Sequence, residues 1–283
     1  MAAPDGDVIT PMRRGYGGNG FLRAESNSPS APNFAFSCSK ASCGRPTKAL
    51  FAGTIFEETH LEVSTVLKLI FAFAKGEKLL VTSLNAHVSV PTIVEFNQKL
   101  RGLMGRHLAD NRRLIGGPGR HVEVDESHLF KRKNNQGRRL AGGATWVVGG
   151  ICRETGEVFG ELTEVRDIPT LNDIIQRNVA PGTTIFTDGW QGYNQLAALP
   201  HGYHHGTVNH KTNFLNPDDP SINTQRVERL WRTLKQSIPS GTRKEDTQEY
   251  LDEFLYFKRF EFTNPFEKYN LVLEVIREYY PIN

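Results

Sequence analysis

Cysteine is scarce, with 3 in 283 residues. So small and odd a number does not build a disulfide framework, and a reducing compartment is the simpler expectation. A strong excess of either charge is missing too: 34 Lys and Arg stand against 31 Asp and Glu, a formal +3. That balance permits a nucleic-acid partner without announcing one, so the placement of charge matters more than its total. No run approaches the roughly 18 apolar residues of a membrane span. The longest candidate, residues 66–74, is short and carries Lys68. Residues 1–20 hold no apolar run and are rich in Gly, Pro and Arg, unlike a secretory signal. No membrane association is expected.

What is present changes along the chain. Residues 1–32 are rich in Gly, Pro, Ser and Asn and read as a disordered tail. Residues 33–60 form a compact segment in which Cys38 and Cys43 are spaced as half of a zinc knuckle. A structural zinc needs four ligands and no second pair follows, so zinc is not expected. Residues 61–108 carry helical periodicity in three runs. The first includes Leu61, Leu69 and Phe73, with Ser64 as its cap and Gly76 as its stop. The second covers Lys78 to Ala86. The third spans Val90 to Met104, with Ile93, Phe96, Leu100 and Leu103 inward and Lys99, Arg101 and Arg106 toward its end. Three short helices with a turn before the last suggest a helix-turn-helix-like domain. Residues 109–119 read as a Gly-rich linker.

Beyond the linker the apolar period falls to two. Residues 120–262 read as three strands in a meander followed by alternating helices and strands, an α/β domain with a mixed sheet. Thr170 is the expected cap of the first of these helices. Residues 263–283 are a C-terminal extension.

Three acids occupy telling positions in that domain. Asp125 ends the first strand, in Glu123-Val-Asp-Glu-Ser, on the same face as Glu123. Two acids on one face of an interior strand are costly unless paired, exposed or metal-bound. Asp188 ends the fourth strand, in Phe186-Thr-Asp-Gly-Trp, where open α/β sheets place chemistry. Glu228 lies at the edge of the stripe Val227, Leu230, Trp231 and Leu234 on a long helix, and it is surrounded by Arg226, Arg229, Arg232 and Lys235. Displacement at a phosphodiester needs an activated oxygen and a stabilised leaving oxygen. Two divalent ions about 4 Å apart supply both, and hard ions want carboxylate ligands. The flanking cations would hold the phosphate backbone.

Four stretches together resemble the DDE transposases of the Merlin superfamily and related bacterial insertion-sequence transposases. They are Val122-Glu-Val-Asp-Glu-Ser, Thr187-Asp-Gly-Trp-Gln-Gly-Tyr, Val208-Asn-His-Lys, and the run from Asn223 to Lys235. The resemblance implies a ribonuclease-H-like fold with Asp125, Asp188 and Glu228 as the metal-binding triad for Mg2+ or Mn2+. It implies cleavage at element ends and joining of the 3′-hydroxyl to target DNA by a homo-oligomer. Double-stranded DNA, terminal inverted repeats and target DNA would be the partners. His210 matches a recurrent histidine that would position a phosphate or water. Residues 34–56 match the family's zinc-ribbon region in depleted form, with Cys38 and Cys43 as its vestige.

The loop carrying Lys131, Arg132, Lys133, Arg138 and Arg139 holds five cations and no acid, and DNA backbone contact is expected there. A nuclear-localisation patch is a rival reading. Trp190 and Trp231 read first as core packing, with stacking on a flipped base as the alternative. Two other functions fit the same residues: a ribonuclease-H-like nuclease that does not join strands, and a domesticated, non-catalytic DNA-binding protein. A eukaryotic host would imply the nucleus, and otherwise the cytoplasm.

Overall fold

The computed structural model describes residues 20–25, 33–38, 47–49, 51, 53–57, 59–129, 145–208, 223–239 and 241–281. They fall into two compact units, residues 1–99 with 264–283, and residues 100–263.

The first unit opens on an antiparallel sheet of β1 (Gly20–Glu25), β2 (Asn33–Cys38) and β3 (Thr47–Ala49) in that order. β1 lies inside the stretch read as tail. Phe21 and Leu22 interrupt its Gly-rich composition, and the strand pairs residue for residue with β2, from Gly20↔Cys38 to Glu25↔Asn33. Cys38 ends β2, and Cys43 lies outside the described residues.

Helices α1 (Val63–Lys75), α2 (Leu79–Ala86) and α7 (Pro265–Tyr279) follow in this unit, together with the start of α3 (Val90–Asp110). Leu69, Ile70, Phe73, Ile93 and Phe96 are its buried residues at helical spacing, and Phe56 stacks on Phe96 at 5.2 Å. Phe71 meets Phe266 and Tyr269 of α7 at 5.1 and 5.6 Å. Gly76 closes α1 at φ 69°, a left-handed value that favours glycine. Ser64 lies within α1, and Glu62 holds the cap position without a side-chain bond.

The axes of α2 and α3 differ by 109°. That is the range of a helix-turn-helix, but α2 carries no charged residue and exposes Leu80 and Leu84, each 67% accessible. The bend alone therefore does not make a DNA reader. Among the described residues no single helix is long and apolar enough to cross a membrane.

α3 runs past the expected end at Met104 into the expected linker, despite Gly102 and Gly105. Arg106 pairs with Asp110 at 3.7 Å, and the Asn111 N–H donates to the His107 carbonyl. Local composition is a weak guide where such contacts extend a helix.

The second unit is built on a five-stranded sheet. Its strands are β5 (His121–His128), β6 (Trp146–Cys152), β7 (Val158–Thr163), β9 (Thr184–Asp188) and β10 (His204–Val208). Their order is β10-β9-β5-β6-β7, parallel from β10 to β5 and antiparallel from β5 to β7.

Alternation along the strands divides the core. Val122, Val124, Val148 and Ile185 face one layer with α4 (Ile168–Asn178) and the two 3-10 turns at Gln191–Tyr193 and Leu196–Ala198. Val147 faces the other with α5 (Gln225–Ser237) and α6 (Thr247–Lys258). This is the mixed sheet flanked by helices that the sequence leads one to expect. The α4 cap is Asp167 and not Thr170. The Asp167 carboxylate accepts the Thr170 N–H at 3.0 Å, and Pro169 suits the first turn.

A small parallel pair, β4 (Ile115–Gly116) with β8 (Val179–Ala180), is tied to the start of β9 by Thr183. Its fully buried hydroxyl accepts the Gly117 N–H at 2.8 Å and donates to the Ala180 carbonyl at 2.6 Å. Thr183→Val keeps the shape and strands both groups. It should lower stability by about 1–3 kcal/mol, read as a lower urea midpoint at unchanged slope. An unchanged midpoint would remove this tie from the account.

Candidate active site

The ladder between β5 and β9 ends at Glu123↔Phe186. Asp125 and Asp188 each follow two residues later, where the strands part, and both are partly buried. Asp125 stays paired on its other side with Gly149 of β6.

Glu123, Asp125 and Ser127 point to the face that α5 covers, and each meets α5 in turn. The Glu123 Oε2 accepts the N–H groups of Arg226 and Val227 at 2.8 and 3.1 Å. The Asp125 Oδ2 accepts the Trp231 Nε1–H at 3.2 Å. The Lys235 Nζ donates to the Ser127 Oγ at 2.7 Å. Val227, Trp231 and Lys235 are four residues apart, about 6 Å along a helix axis at about 1.5 Å per residue. Two residues of strand advance by about 6.7 Å. Helix and strand therefore run in step for three contacts.

Glu228 sits just after the first contact, exposed on α5, and accepts a long bond from the Thr224 hydroxyl at 3.4 Å. Its charge acts on Asp125, as does that of Asp188. The Asp188 Oδ1 accepts the Trp190 N–H at 3.1 Å. Burial, and then the negative charges of Glu126, Asp188 and Glu228, push the Asp125 carboxyl up to about 7. Asp188 and Glu228 are thus both brought within electrostatic reach of Asp125.

Glu126 was not expected in the site. It points to the opposite face, and burial, with the Asp188 charge, raises its carboxyl above the usual range. The Tyr193 hydroxyl donates to its Oε2 and Arg166 Nη1 to its Oε1, the latter at 2.9 Å. Burial, and then Glu126, hold the Tyr193 phenol well above its ordinary value, so it stays a donor. Arg153 and Gly149 were missed as well. The doublet Gly149-Gly150 in mid-strand was the available signal, because glycine there marks a close approach. A Cβ on Gly149 would stand 2.8 Å from the Trp231 ring and 2.3 Å from the Phe159 carbonyl.

The remaining expected residues separate. Trp231 is 3% exposed and packs among Val147, Leu230 and Leu234, so it presents no face to a base, and its part is the bond to Asp125. Trp190 is half-buried, and the Arg166 guanidinium lies over its ring at 4.7 Å. Arg229 and Arg232 are exposed on α5. Arg226 donates through Nη1 to the Arg153 carbonyl. His210 and the loop from Lys131 to Arg139 lie outside the described residues.

Among the described residues no three His, Cys, Asp or Glu side chains are arranged to hold one ion. The donor set still suits a hard divalent cation in kind: three carboxylates, two of them partly buried, with the charges of Asp188 and Glu228 both acting on Asp125.

Residues 114–262, more than half of the chain, match the family model for the ISXO2-like transposase domain. The chain belongs to this family. The ISXO2-like transposase domain is a DDE-type domain, and the match covers all three acids. No curated protein matches the chain.

Solved structures show distant likeness to this transposase domain. One is a simian T-cell lymphotropic virus intasome in complex with PP2A regulatory subunit B56 gamma, at 13% identity and TM-score 0.32 over 65% of this chain and 66% of that one. The chain therefore spans just under two thirds of that relative's length. The catalytic core domain of HTLV-2 integrase in complex with magnesium matches at 12% identity and TM-score 0.30, over 51% of this chain and 86% of that one. The catalytic core domain of BIV integrase matches at 16% and 0.32, over 56% and 97%. The assignment rests on the family match.

Two predictions follow from the geometry of this transposase domain. Gly149→Ala should displace the Trp231 indole and cost about 1–3 kcal/mol of stability. Urea unfolding and the indole N–H resonance report both, and an unmoved resonance would refute the close approach. The second concerns pH. A carboxyl raised to about 7 in the folded state contributes stability that is full below its unfolded value and is lost as pH rises through about 7. Without divalent ions, Asp125→Asn should therefore gain in Tm over wild type as pH goes from 5 to 8. An equal difference at both pH values would show that Asp125 is not so shifted.

Proposed function

We propose that the chain is a DDE transposase that cleaves the ends of its own element and joins the freed 3′-hydroxyl to target DNA. Asp125, Asp188 and Glu228 would hold Mg2+ or Mn2+. The observation that carries this reading is the placement of three carboxylates: Asp125 just past the end of the β5–β9 ladder, Asp188 at the end of β9 and Glu228 on α5, with the charges of the last two acting on a partly buried Asp125. The bound ions would supply charge to the attacking and leaving oxygens of an in-line displacement.

The chain's own side chains do the holding. Trp231 orients Asp125, the Trp190 backbone orients Asp188, and Thr224 steadies Glu228. Arg229 and Arg232 stand exposed beside Glu228, where a phosphate backbone would lie. Lys131, Arg132, Lys133, Arg138, Arg139, Arg226 and Lys235 would extend that rim. His210 would position a phosphate or water.

Terminal inverted repeats, target DNA and a second copy of the chain are the partners this reading requires. The nucleus of a eukaryotic host, or otherwise the cytoplasm, is the compartment. The motif strings around the three acids favour the Merlin branch within the wider group. Residues 61–108 would contribute DNA contact.

The test is cleavage and joining on oligonucleotides bearing the element's own terminal sequence, with Mg2+. Asp125→Asn, Asp188→Asn and Glu228→Gln should keep DNA binding and lose cleavage by about a thousandfold or more, the scale of several kcal/mol of charge stabilisation. Cleavage that survives these changes or EDTA would overturn the reading. Cleavage without joining would make the protein a nuclease. Binding without cleavage by the wild type would make it a non-catalytic DNA-binding protein.

A further inference from the structure

In Glu123-Val-Asp-Glu three acids stand within four residues of one strand, and only Asp125 faces the other two members of the triad. We propose that Glu123 and Glu126 are positioning residues, each holding one of the other two acid-bearing elements in place beside Asp125. The role in ion binding rests on the metal-dependent reading above.

Glu123 is fully buried, and none of its bonding capacity is spent at random. One oxygen takes the Arg226 and Val227 N–H groups at the start of α5. The other takes the Arg153 Nε–H at 2.8 Å. Arg153 also donates through Nη2 to the Asn223 carbonyl at 2.6 Å, just ahead of the helix. An anion at a helix N-terminus meets free N–H groups and the positive end of the dipole. Apolar packing of α5 tolerates small sliding along the sheet, whereas two N–H bonds to one carboxylate oxygen fix the axial position. The next residue on α5 is Glu228, so the position fixed is that of the third acid.

Glu126 does the corresponding work on the opposite face. Its side chain is 5% exposed and is held between the Tyr193 hydroxyl and Arg166. Tyr193 lies in the 3-10 turn that follows Asp188, and Trp190 at the entry to that turn donates its N–H to Asp188. Arg166 is itself layered over Trp146 at 3.9 Å and Trp190 at 4.7 Å. β5 thus grips α5 on one side of the sheet and the Asp188 turn on the other, with Asp125 between the two grips.

Glu123→Gln and Glu126→Gln keep the shape and one acceptor oxygen. Mn2+ binding to the full chain, followed by water proton relaxation, should weaken about tenfold or more in each, as outer-shell changes do. Higher Mn2+ should restore binding. Asp125→Asn should not be restored at any Mn2+ concentration. Amide exchange at Arg226 and Val227 should quicken in Glu123→Gln and not in Glu126→Gln. Wild-type Mn2+ affinity in both Gln variants would overturn the proposal, as would unchanged exchange at the two amides. A wild type that binds no Mn2+ would overturn the metal reading instead, and the exchange measurement would then decide alone whether Glu123 holds α5. Arg153→Lys keeps the charge and drops the Asn223 contact. It serves as the second variant if Glu123→Gln does not fold, with a smaller loss expected and no loss counting against the proposal.

Discussion

A carboxylate with no solvent exposure, accepting two N–H groups from the first turn of a helix, is the constraint on which the active face of this domain depends. Glu123 cannot be buried as an anion in apolar surroundings without an opposite charge and full hydrogen bonding. Arg153 and the α5 N-terminus meet that demand together. Once they do, α5 can lie at only one height along β5. Trp231 then falls opposite Asp125 and Lys235 opposite Ser127, because four helix residues and two strand residues advance by nearly the same distance. The absence of a side chain at Gly149, the strand partner of Asp125, gives the Trp231 ring its place. Sequence features that look unrelated, a glycine doublet in one strand and an acid-rich tetrapeptide in the next, are two sides of one contact.

The same arrangement explains why the acids can be concentrated where they are. Asp125 is raised first by burial and then by its neighbours' charges. A site of this kind works against folding when it stands alone and in favour of it when a divalent cation is bound, because an ion that binds only the folded state adds its binding free energy to stability. The charges that do not need a cation are neutralised by fixed partners: Glu123 by Arg153, and Glu126 by Arg166 and the Tyr193 hydroxyl. Two acids are paired with cations of the protein, while Asp125 stands within reach of the charges of Asp188 and Glu228. Composition gives no hint of that division, since all five are Asp or Glu within the same short motifs.

Much of the fold was legible from periodicity. Alternation located β5, β6, β7 and β9, and the stripe Val227, Leu230, Trp231 and Leu234 located the buried face of α5. Asp188 was legible because a strand end is a property of local sequence; Asp125 was expected to end β5 as well, but pairing with β6 carries that strand on to His128. What was not legible depended on partners distant in the chain. Trp231 reads as a core residue from its stripe and is buried, but its bond to Asp125, 106 residues earlier, is not visible in that stripe. Thr170 and Asp167 are both good caps by residue type, and the position of Pro169 in the first turn favours the earlier one. The end of α3 was misread because Gly102, Gly105 and a polar run resemble a linker, while an i,i+4 ion pair and the Asn111 bonds extend the helix. β1 was misread for the opposite reason: its pairing with β2 overrides a composition that by itself suggests tail.

Glu228 shows where the two kinds of information meet. By pattern it is an exposed residue at the edge of an amphipathic helix, and nothing within α5 distinguishes it from a solvated glutamate. Its place in the site follows from what lies before it, since the N–H of Val227 is held by Glu123, two residues from Asp125 on the strand. Exposure is then an advantage. Asp125 is partly buried and bound to the Trp231 indole, whereas Glu228 stands exposed at the rim and accepts the Thr224 hydroxyl at 3.4 Å. A carboxylate open to solvent at the start of the helix can be approached from outside while the buried contacts of α5 stay intact.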